Sequence, residues 1–527
     1  MKNFSTILLY LILALLPTRV LCSVEFQSLG QGKAVSNDIY GINDLISFKV
    51  NRAVQFPVTR FGGNHTSRYN YKINTSNHAK DWYFMNIPYD YIDGKNHVDH
   101  LIDEAIRSGS KLLITIPMIG WEAGKRSYKY SYSVKKYGKQ KSVETANSKN
   151  DAGNGMLDDG RKLYKTDLKE TSVEVGPEFV AEWVTYIKKR VAGRMPLNFA
   201  LDNEPMIWHA THRDLRYNDP KALSPELSYD ELWKRTVAYA GAIKKVAPEA
   251  KVFGPAAWGW CAYNYSSKDG CSIGADRMVH GNKPLLEWYL SKVCSYKKKT
   301  GIRLVDYLDI HYYPAYAYAD DDEGQAAQKA RLAAIKELYD WNYTSKNWIN
   351  SNIALIPRMK KMIRDNCEGT KLAITEYRFG KAQDGRTTFL ANAEAISLFA
   401  TYGVDFATMW VSVQKNSLIE ETFKLYLDYD GKGANALNSK VLRFEKSKKD
   451  SPVDTYGLVN KNKRLIYAFN KSLKPQKITI KLKSKCTSLN NYYVKNNTKY
   501  IQKFTMKPSK NINATLSPYS VNIFECK

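Results

Sequence analysis

Two glutamates stand where acid–base chemistry at an acetal carbon would need them. Glu204 lies in Leu201-Asp202-Asn203-Glu204-Pro205, and Glu376 in Thr375-Glu376-Tyr377-Arg378. Each comes at the end of a short apolar run that reads as a strand. A pair of carboxyl groups facing each other can split a glycosidic bond. One must be protonated, to give its proton to the leaving oxygen; the other must be ionised, to attack the anomeric carbon. Their surroundings must therefore push the two pKa values apart. Arg378, or another nearby cation, is expected to keep Glu376 ionised. Apolar and aromatic neighbours are expected to keep Glu204 protonated.

Other residues suit the same chemistry. The Asn203 side-chain amide could hydrogen-bond a sugar 2-hydroxyl, a contact that strengthens as an oxocarbenium ion forms. In Asp309-Ile310-His311-Tyr312-Tyr313-Pro314, His311 and Tyr313 alternate and so share one face of a strand. The Tyr313 hydroxyl could orient Glu376. Trp410 ends another apolar run and reads either as a floor under the reacting sugar or as core. Arg60 and Asn64 flank the paired glycines Gly62 and Gly63, which permit close backbone approach to a ligand. They are expected to present polar groups to a cleft. Trp82, Trp121, Trp258 and Trp260 fall between predicted elements and read as stacking platforms for sugar faces.

The elements that must position these residues repeat in a rhythm. Eight strand-like runs are Ile39–Ile42, Val58–Phe61, Leu112–Ile116, Leu197–Leu201, Val252–Pro255, Tyr307–Tyr312, Leu372–Thr375 and Phe406–Val411. Helical patterns separate them, at His97–Ser108, Glu178–Val191, Tyr229–Val246, Lys283–Thr300, Ile353–Asn366 and Thr388–Tyr402. Eight β/α units predict an α/β chain folded as a (β/α)8 barrel over residues 38–440. An open doubly wound sheet is the rival, but no Gly-rich phosphate turn follows any strand. Long insertions near 118–176 and 314–350 fall after strands, on the face where such barrels hold their sites. Past residue 440 only short alternating strands remain. They predict a small β-sandwich of residues 441–527, its edge completed by residues 23–37. This unit reads either as a carbohydrate-binding module or as a structural cap.

The chain has 527 residues, with 44% hydrophobic and 25% charged, which excludes a disordered or collagen-like polymer. Its formal net charge is +27. That balance permits contact with polyanions, yet the lysines are dispersed, so no nucleic-acid partner is expected. Residues 1–22 read as a signal peptide, with a lysine before the apolar run Ile7–Leu16. That run is shorter than the roughly 20 residues of a membrane span, so the protein is expected to be secreted, with no membrane partner. Asn-x-Ser/Thr sites occur at Asn64, Asn74, Asn264, Asn342, Asn470, Asn496 and Asn513, Asn64 being a poor acceptor if it lies in the cleft. Six cysteines follow Cys22, and an even number in an exported chain suggests disulfides. Six cysteines allow 15 pairings; Cys261–Cys271, which would close a small loop, and Cys486–Cys526, which would staple the last segment, are the pairs expected, with Cys294 and Cys367 left over as a third.

Taken together, several stretches resemble glycoside hydrolase family 44. They are Arg60 through Asn70, Asp151-Ala152-Gly153-Asn154-Gly155, Asp202-Asn203-Glu204-Pro205, Asp309 through Pro314, and Thr375-Glu376-Tyr377-Arg378. The resemblance implies a barrel with a β-sandwich and endo-acting, retaining cleavage of β-1,4-glucans such as cellulose derivatives and xyloglucan, with some members also acting on mannan or xylan. It carries Glu204 over as acid/base and Glu376 as nucleophile. It implies no cofactor for catalysis, a polysaccharide as partner, and a structural calcium. Asp151, Asn154, Asp158 and Asp159 form one oxygen-rich loop for such an ion, and Asp320–Glu323 another, though each also reads as a solvated loop. A monomer is expected. Two rival readings are a barrel hydrolase of an anionic polysaccharide and a non-catalytic glycan-binding protein.

Overall fold

A computed structural model describes residues 23–43, 54–146, 149–163, 166–215, 226–314 and 323–527. The signal-peptide segment and Asp320–Asp322 lie outside them.

Eight parallel strands close a barrel: β1 (Gly41–Asn43), β2 (Val58–Phe61), β3 (Lys111–Ile116), β4 (Asn198–Leu201), β5 (Lys251–Ala257), β6 (Tyr307–Tyr312), β7 (Lys371–Tyr377) and β8 (Phe406–Met409). The ring closes where Thr408 of β8 pairs with Gly41 and Ile42 of β1 pairs with Thr59 of β2. All eight expected strands are present, six of them with shifted ends. Helices α1 (His97–Ser108), α2 (Pro177–Val191), α3 (Tyr229–Val246), α4 (Leu285–Thr300), α5 (Gln325–Ala334), α6 (Leu355–Asn366), α7 (Arg386–Tyr402) and α8 (Leu418–Leu427) surround it. Of these, α5 and α8 went unread in the sequence. Local signals explain several starts. Ser228 accepts a hydrogen bond from the Glu231 amide before α3, and Ser417 does so from Glu420 before α8, both in the Ser-x-x-Glu pattern of a capping box. Helix α2 buries Phe179, Val180, Trp183, Val184, Ile187 and Val191, a stripe at helical spacing.

The barrel interior is filled in two chemically different layers. Val58, Leu113, Ala200, Phe253, Tyr307, Ala373 and Phe406, one from each of seven strands, form an apolar floor. Phe253 and Tyr307 stack there at 4.0 Å between centroids. Further along the same strands, toward their carboxyl ends, the buried residues are polar: Asn43, Arg60, Asp309, His311, Thr375 and Glu376. The floor closes the barrel and leaves the polar layer as the base of a site.

The C-terminal strands are β9 (Lys440–Lys446), β10 (Val453–Asn460), β11 (Lys463–Asn470), β12 (Gln476–Lys481), β13 (Leu489–Val494), β14 (Gln502–Met506), β15 (Asn511–Leu516) and β16 (Ser520–Cys526). With the N-terminal strand Val24–Ala34 they form one nine-stranded sheet in the order β14-β13-β16-β11-β10-β9-(24–34)-β12-β15. The N-terminal strand was expected at an edge. It instead lies inside the sheet, antiparallel to β9 and parallel to β12. Ile478 and Ile512, near one end of this order, share a core with Ile466, Leu489 and Phe524 near the other, so the sheet folds over itself. Its second face joins the barrel. In β11, Leu465, Tyr467 and Phe469 pack in the barrel's cluster while Ile466 and Ala468 face the sheet's own core, the two-residue alternation of a strand buried on both faces. Tyr467 stacks on Tyr426 of α8 at 4.7 Å and donates to the Leu425 carbonyl at 3.2 Å.

Cys261–Cys271 and Cys486–Cys526 are disulfides. Cys294–Cys367 is not: both remain thiols. They meet as hydrogen-bond neighbours, and burial together with that contact pushes the Cys367 thiol up, which keeps its proton on.

Because the sheet and the barrel share one core, Tyr467→Ala is expected to destabilise both by about 3–5 kcal/mol. Denaturant unfolding should show a single shifted transition by fluorescence and by circular dichroism. Loss confined to one part would contradict a shared core.

Candidate active site

The first carboxylate is aimed by a strained turn. After β4 the chain enters left-handed backbone at Asp202 (φ 63°) and again at Glu204 (φ 48°), a conformation that costs residues with a Cβ. The Asp202 carboxylate holds the turn by accepting from Ser67, the Met118 amide and the Asn203 amide. Pro205 then starts a short helical turn, Pro205–Ile207.

The second carboxylate is aimed by an extra residue in β7. Ile310 of β6 pairs with Ile374, but the next residue, His311, pairs with Glu376. On the other side Ala407 pairs with Ile374 and Met409 with Tyr377. The surplus residue advances Glu376 to lie opposite His311, as bulges beside active sites re-aim side chains.

At the mouth these two meet. Ligating atoms of Glu204, His311 and Glu376 all lie within 4.8 Å of one another. His311 Nδ1 is 2.8 Å from Glu204 Oε1 and 3.5 Å from Glu376 Oε2. The Tyr313 hydroxyl donates to Glu376 Oε2 at 2.8 Å. Arg60 Nη1 donates to Glu376 Oε1 at 2.7 Å and to Asn43 Oδ1 at 2.9 Å, while Arg60 Nη2 donates to Asn203 Oδ1 at 2.9 Å. The cation beside Glu376 is thus Arg60. Arg378 is turned away, toward the carbonyls of Trp410 and Lys381.

Burial pushes Glu204 up to about 7; Arg60 opposes that rise and Asp81 adds to it. Burial lowers His311 to about 3, with Glu376 opposing, so its ring is neutral. Its tautomer follows from its partners. Thr375 Oγ1 donates to Asp309 Oδ1 at 2.7 Å and lies 3.1 Å from His311 Nε2. Having spent its one proton on Asp309, the Thr375 hydroxyl accepts from Nε2–H. His311 Nδ1 is then a bare acceptor, and the partner it faces, Glu204 Oε1, is the protonated carboxyl.

Most of the residues singled out in the sequence converge here, but not all as expected. Arg60 is fully buried, so it holds Glu376 and Asn203 from below instead of facing a ligand. The Asn203 amide oxygen is taken by Arg60 and the Gly63 amide, and its nitrogen donates to Asn64 Oδ1 at 3.1 Å. Asn64 passes that contact to Asp81 at 2.9 Å, so its own amide is already engaged. Trp410, one residue past β8, is half-buried, and its ring edge lies 2.6 Å from where a Gly63 Cβ would sit. Trp82 is half-buried, edge-on to Tyr83 at 6.2 Å. The half-buried Trp260 carries the Arg358 guanidinium over its ring at 5.3 Å. Trp121 is not a platform: it is 9% exposed, within the core, on a short strand paired with Ser172–Glu174.

Asn43, Asp81, Thr375 and Asp309 were missed. Asn43 had a readable signal, since it is a polar residue directly after an apolar strand run. Its amide donates to the Thr375 carbonyl at 2.8 Å, tying β1 to β7. Asp81 lay beside the noted Trp82 and carried no signal of its own.

The oxygen-rich loop does not fit a calcium ion. Asp151 accepts from Ser133 and the Lys135 amide, Asn154 Oδ1 accepts from the Met156 amide, Asp158 pairs with Lys139 at 2.9 Å and Asp159 with Arg161 at 2.6 Å. Their oxygens are spent on separate partners and do not converge.

A closed parallel barrel bearing two carboxyl groups at the ends of β4 and β7 is the arrangement that barrel glycoside hydrolases use. Comparison with known proteins agrees: the model of glycoside hydrolase family 44 matches residues 75–316. The chain is 28% identical over 462 residues to a β-mannanase/endoglucanase A of Caldicellulosiruptor saccharolyticus, covering 81% of this chain and 32% of that protein. It is 27% identical over 437 residues to endoglucanase A of Paenibacillus lautus, covering 77% and 57%. The chain therefore spans only a third to just over half of those relatives. Among solved structures, CelM2, a bifunctional glucanase-xylanase from a metagenome library, aligns with a TM-score of 0.87 at 28% identity, over 96% of this chain and 99% of that one.

A Cβ at Gly62 would lie 2.2 Å from Arg60 Cζ. Gly62→Ala should therefore shift the guanidinium and slow turnover by about 100-fold, with circular dichroism unchanged. Wild-type rates from a folded Gly62→Ala protein would show that Arg60 does not position Glu376.

Proposed function

We propose that the protein is a secreted, retaining endo-hydrolase of β-1,4-linked glucans, acting on cellulose derivatives, xyloglucan, and glucomannan or xylan. One observation carries this reading: carboxyl oxygens of Glu204 and Glu376 lie within 4.8 Å of each other. Carboxyl groups this close suit direct attack on the sugar, whereas inverting enzymes keep theirs about 6.5–9.5 Å apart to admit a water. Substrate breadth is supported by the glucanase, mannanase and xylanase names of the relatives. Export is supported by the apolar run Ile7–Leu16 and by the two disulfides, which persist in oxidising compartments. No described helix is long and apolar enough to cross a membrane.

In the first step a Glu376 oxygen attacks the anomeric carbon. The bond from that carbon to the leaving oxygen breaks, and Glu204 gives that oxygen its proton. Arg60 and Tyr313 hold Glu376 in line, each by one of its two oxygens. In the second step Glu204, now a carboxylate, takes a proton from water. The water oxygen bonds to the anomeric carbon and Glu376 leaves with its configuration at that carbon restored. No metal or redox group enters either step.

Two measurements test this. Glu376→Ala should lower cleavage of xyloglucan and carboxymethyl-cellulose by about 10⁴-fold, and proton NMR of early products should show the β-anomer. Initial formation of the α-anomer would replace retention by inversion. Activity on a uronic-acid polymer and none on neutral glucans would move the substrate to anionic polysaccharide. Glu204 must be protonated in the first step, and its pKa is raised to about 7. On its alkaline side kcat/KM should therefore fall as pH rises through about 7. A plateau running well above pH 8 would remove Glu204 from the role of acid.

A further inference from the structure

The sequence carries a net charge of +27 that hydrolysis of neutral glucans does not require. Part of that charge is gathered at one place. Where α5 and the turn after it meet the loops β9–β10 and β11–β12, a cavity of about 470 Å³ opens. It shares no residue with the active site. Among the described residues six lysines line it and no arginine does.

These lysines divide into two sets. Lys446 and Lys471 are spent. Lys446 pairs with Asp454 at 2.8 Å, and Lys471 pairs with Asp454 at 2.7 Å and with the buried Glu394 at 2.8 Å. That network forms a nearly neutral floor. Lys329, Lys336, Lys449 and Lys474 are exposed around the rim, and none has a carboxylate partner among the described residues. Among the described residues Asp450 is the one acid at the rim. Between the rim charges lie the half-buried Tyr339 and Leu473, which is 57% exposed, with the buried Tyr519 beneath them. Like charges held together repel, so such a rim is a standing attraction for an anion.

The lining narrows the choice of anion. Lysine is a point charge on a flexible stem, while phosphate and nucleic acid are met best by the planar fork of arginine. Carboxylates spaced along a polymer need only several point charges, and the aromatic and aliphatic surfaces between them suit the apolar faces of sugar rings. We propose that this cavity binds a carboxylated polysaccharide and anchors the enzyme to acidic glycan lying beside its substrate. The site binds and does not cleave.

Titration calorimetry with polygalacturonate, at about 0.15 M salt, tests this on the intact protein. Its fully methyl-esterified form and duplex DNA serve as further probes. Two variants with equal loss of charge are compared. One carries Lys329→Gln, Lys336→Gln, Lys449→Gln and Lys474→Gln. The other carries Lys189→Gln, Lys297→Gln, Lys298→Gln and Lys299→Gln, all exposed and far along the chain from the cavity. The wild type should bind polygalacturonate and not its ester. The rim variant should bind at least about tenfold more weakly, and the control variant within about twofold of the wild type. Unchanged circular dichroism would show both folded, and the readout does not depend on catalysis. Equal weakening in both variants would mean diffuse charge attraction and overturn the site. So would no binding by the wild type, or tighter binding to duplex DNA.

Discussion

The guanidinium of Arg60 is the interaction around which the site is built. It is fully buried and reaches Asn43 on β1, Asn203 after β4 and Glu376 on β7. One planar cation thus joins three separate strands of the ring. Burying an ion pair gains little net stability, because desolvation offsets the attraction. What it does supply is position. Glu376 cannot drift without leaving a buried charge unpaired, and Asn203 cannot turn without breaking three contacts. The glycines beside Arg60 follow from the same constraint: the space where a Gly62 side chain would stand is filled by the guanidinium itself.

Around that centre the two carboxyl groups are placed by local irregularity. A regular β7 would pair Thr375, not Glu376, with His311. A regular turn after β4 would spare Glu204 its left-handed backbone. Both deviations sit at the carboxyl ends of strands, where the barrel's polar layer begins and the loops leave room for them. The two environments then diverge. Glu376 receives a cation and a phenol, whereas Glu204 is met by burial and by a neutral imidazole that has only an acceptor to offer. Two identical side chains are thus given different surroundings, as the proposed division into acid and nucleophile requires.

The folded-over sheet matters to this arrangement through α8 and the strand ends beside it. Its second face completes the barrel's own core, with Tyr426 and Tyr467 stacked across the seam. The same seam creates the lysine-rimmed cavity, which neither the barrel nor the sheet would form alone.

Much of this was legible in the amino-acid order. Hydrophobic periodicity named eight strands and six helices because each element must bury one face, and the strand-end glutamates stood out because apolar runs ended on them. The pair Cys261–Cys271 was legible from its closeness in the chain, and Cys486–Cys526 from both cysteines lying in the last segment. What escaped were matters of register and partner. That Arg60 and not Arg378 meets Glu376, that Trp121 packs inward, that Cys294 and Cys367 remain thiols, and that Val24–Ala34 enters the middle of a sheet all depend on contacts between segments tens to hundreds of residues apart. A linear pattern records which face of an element is apolar. It does not record which element lies opposite, and a single surplus residue in β7 decides which side chain faces the site.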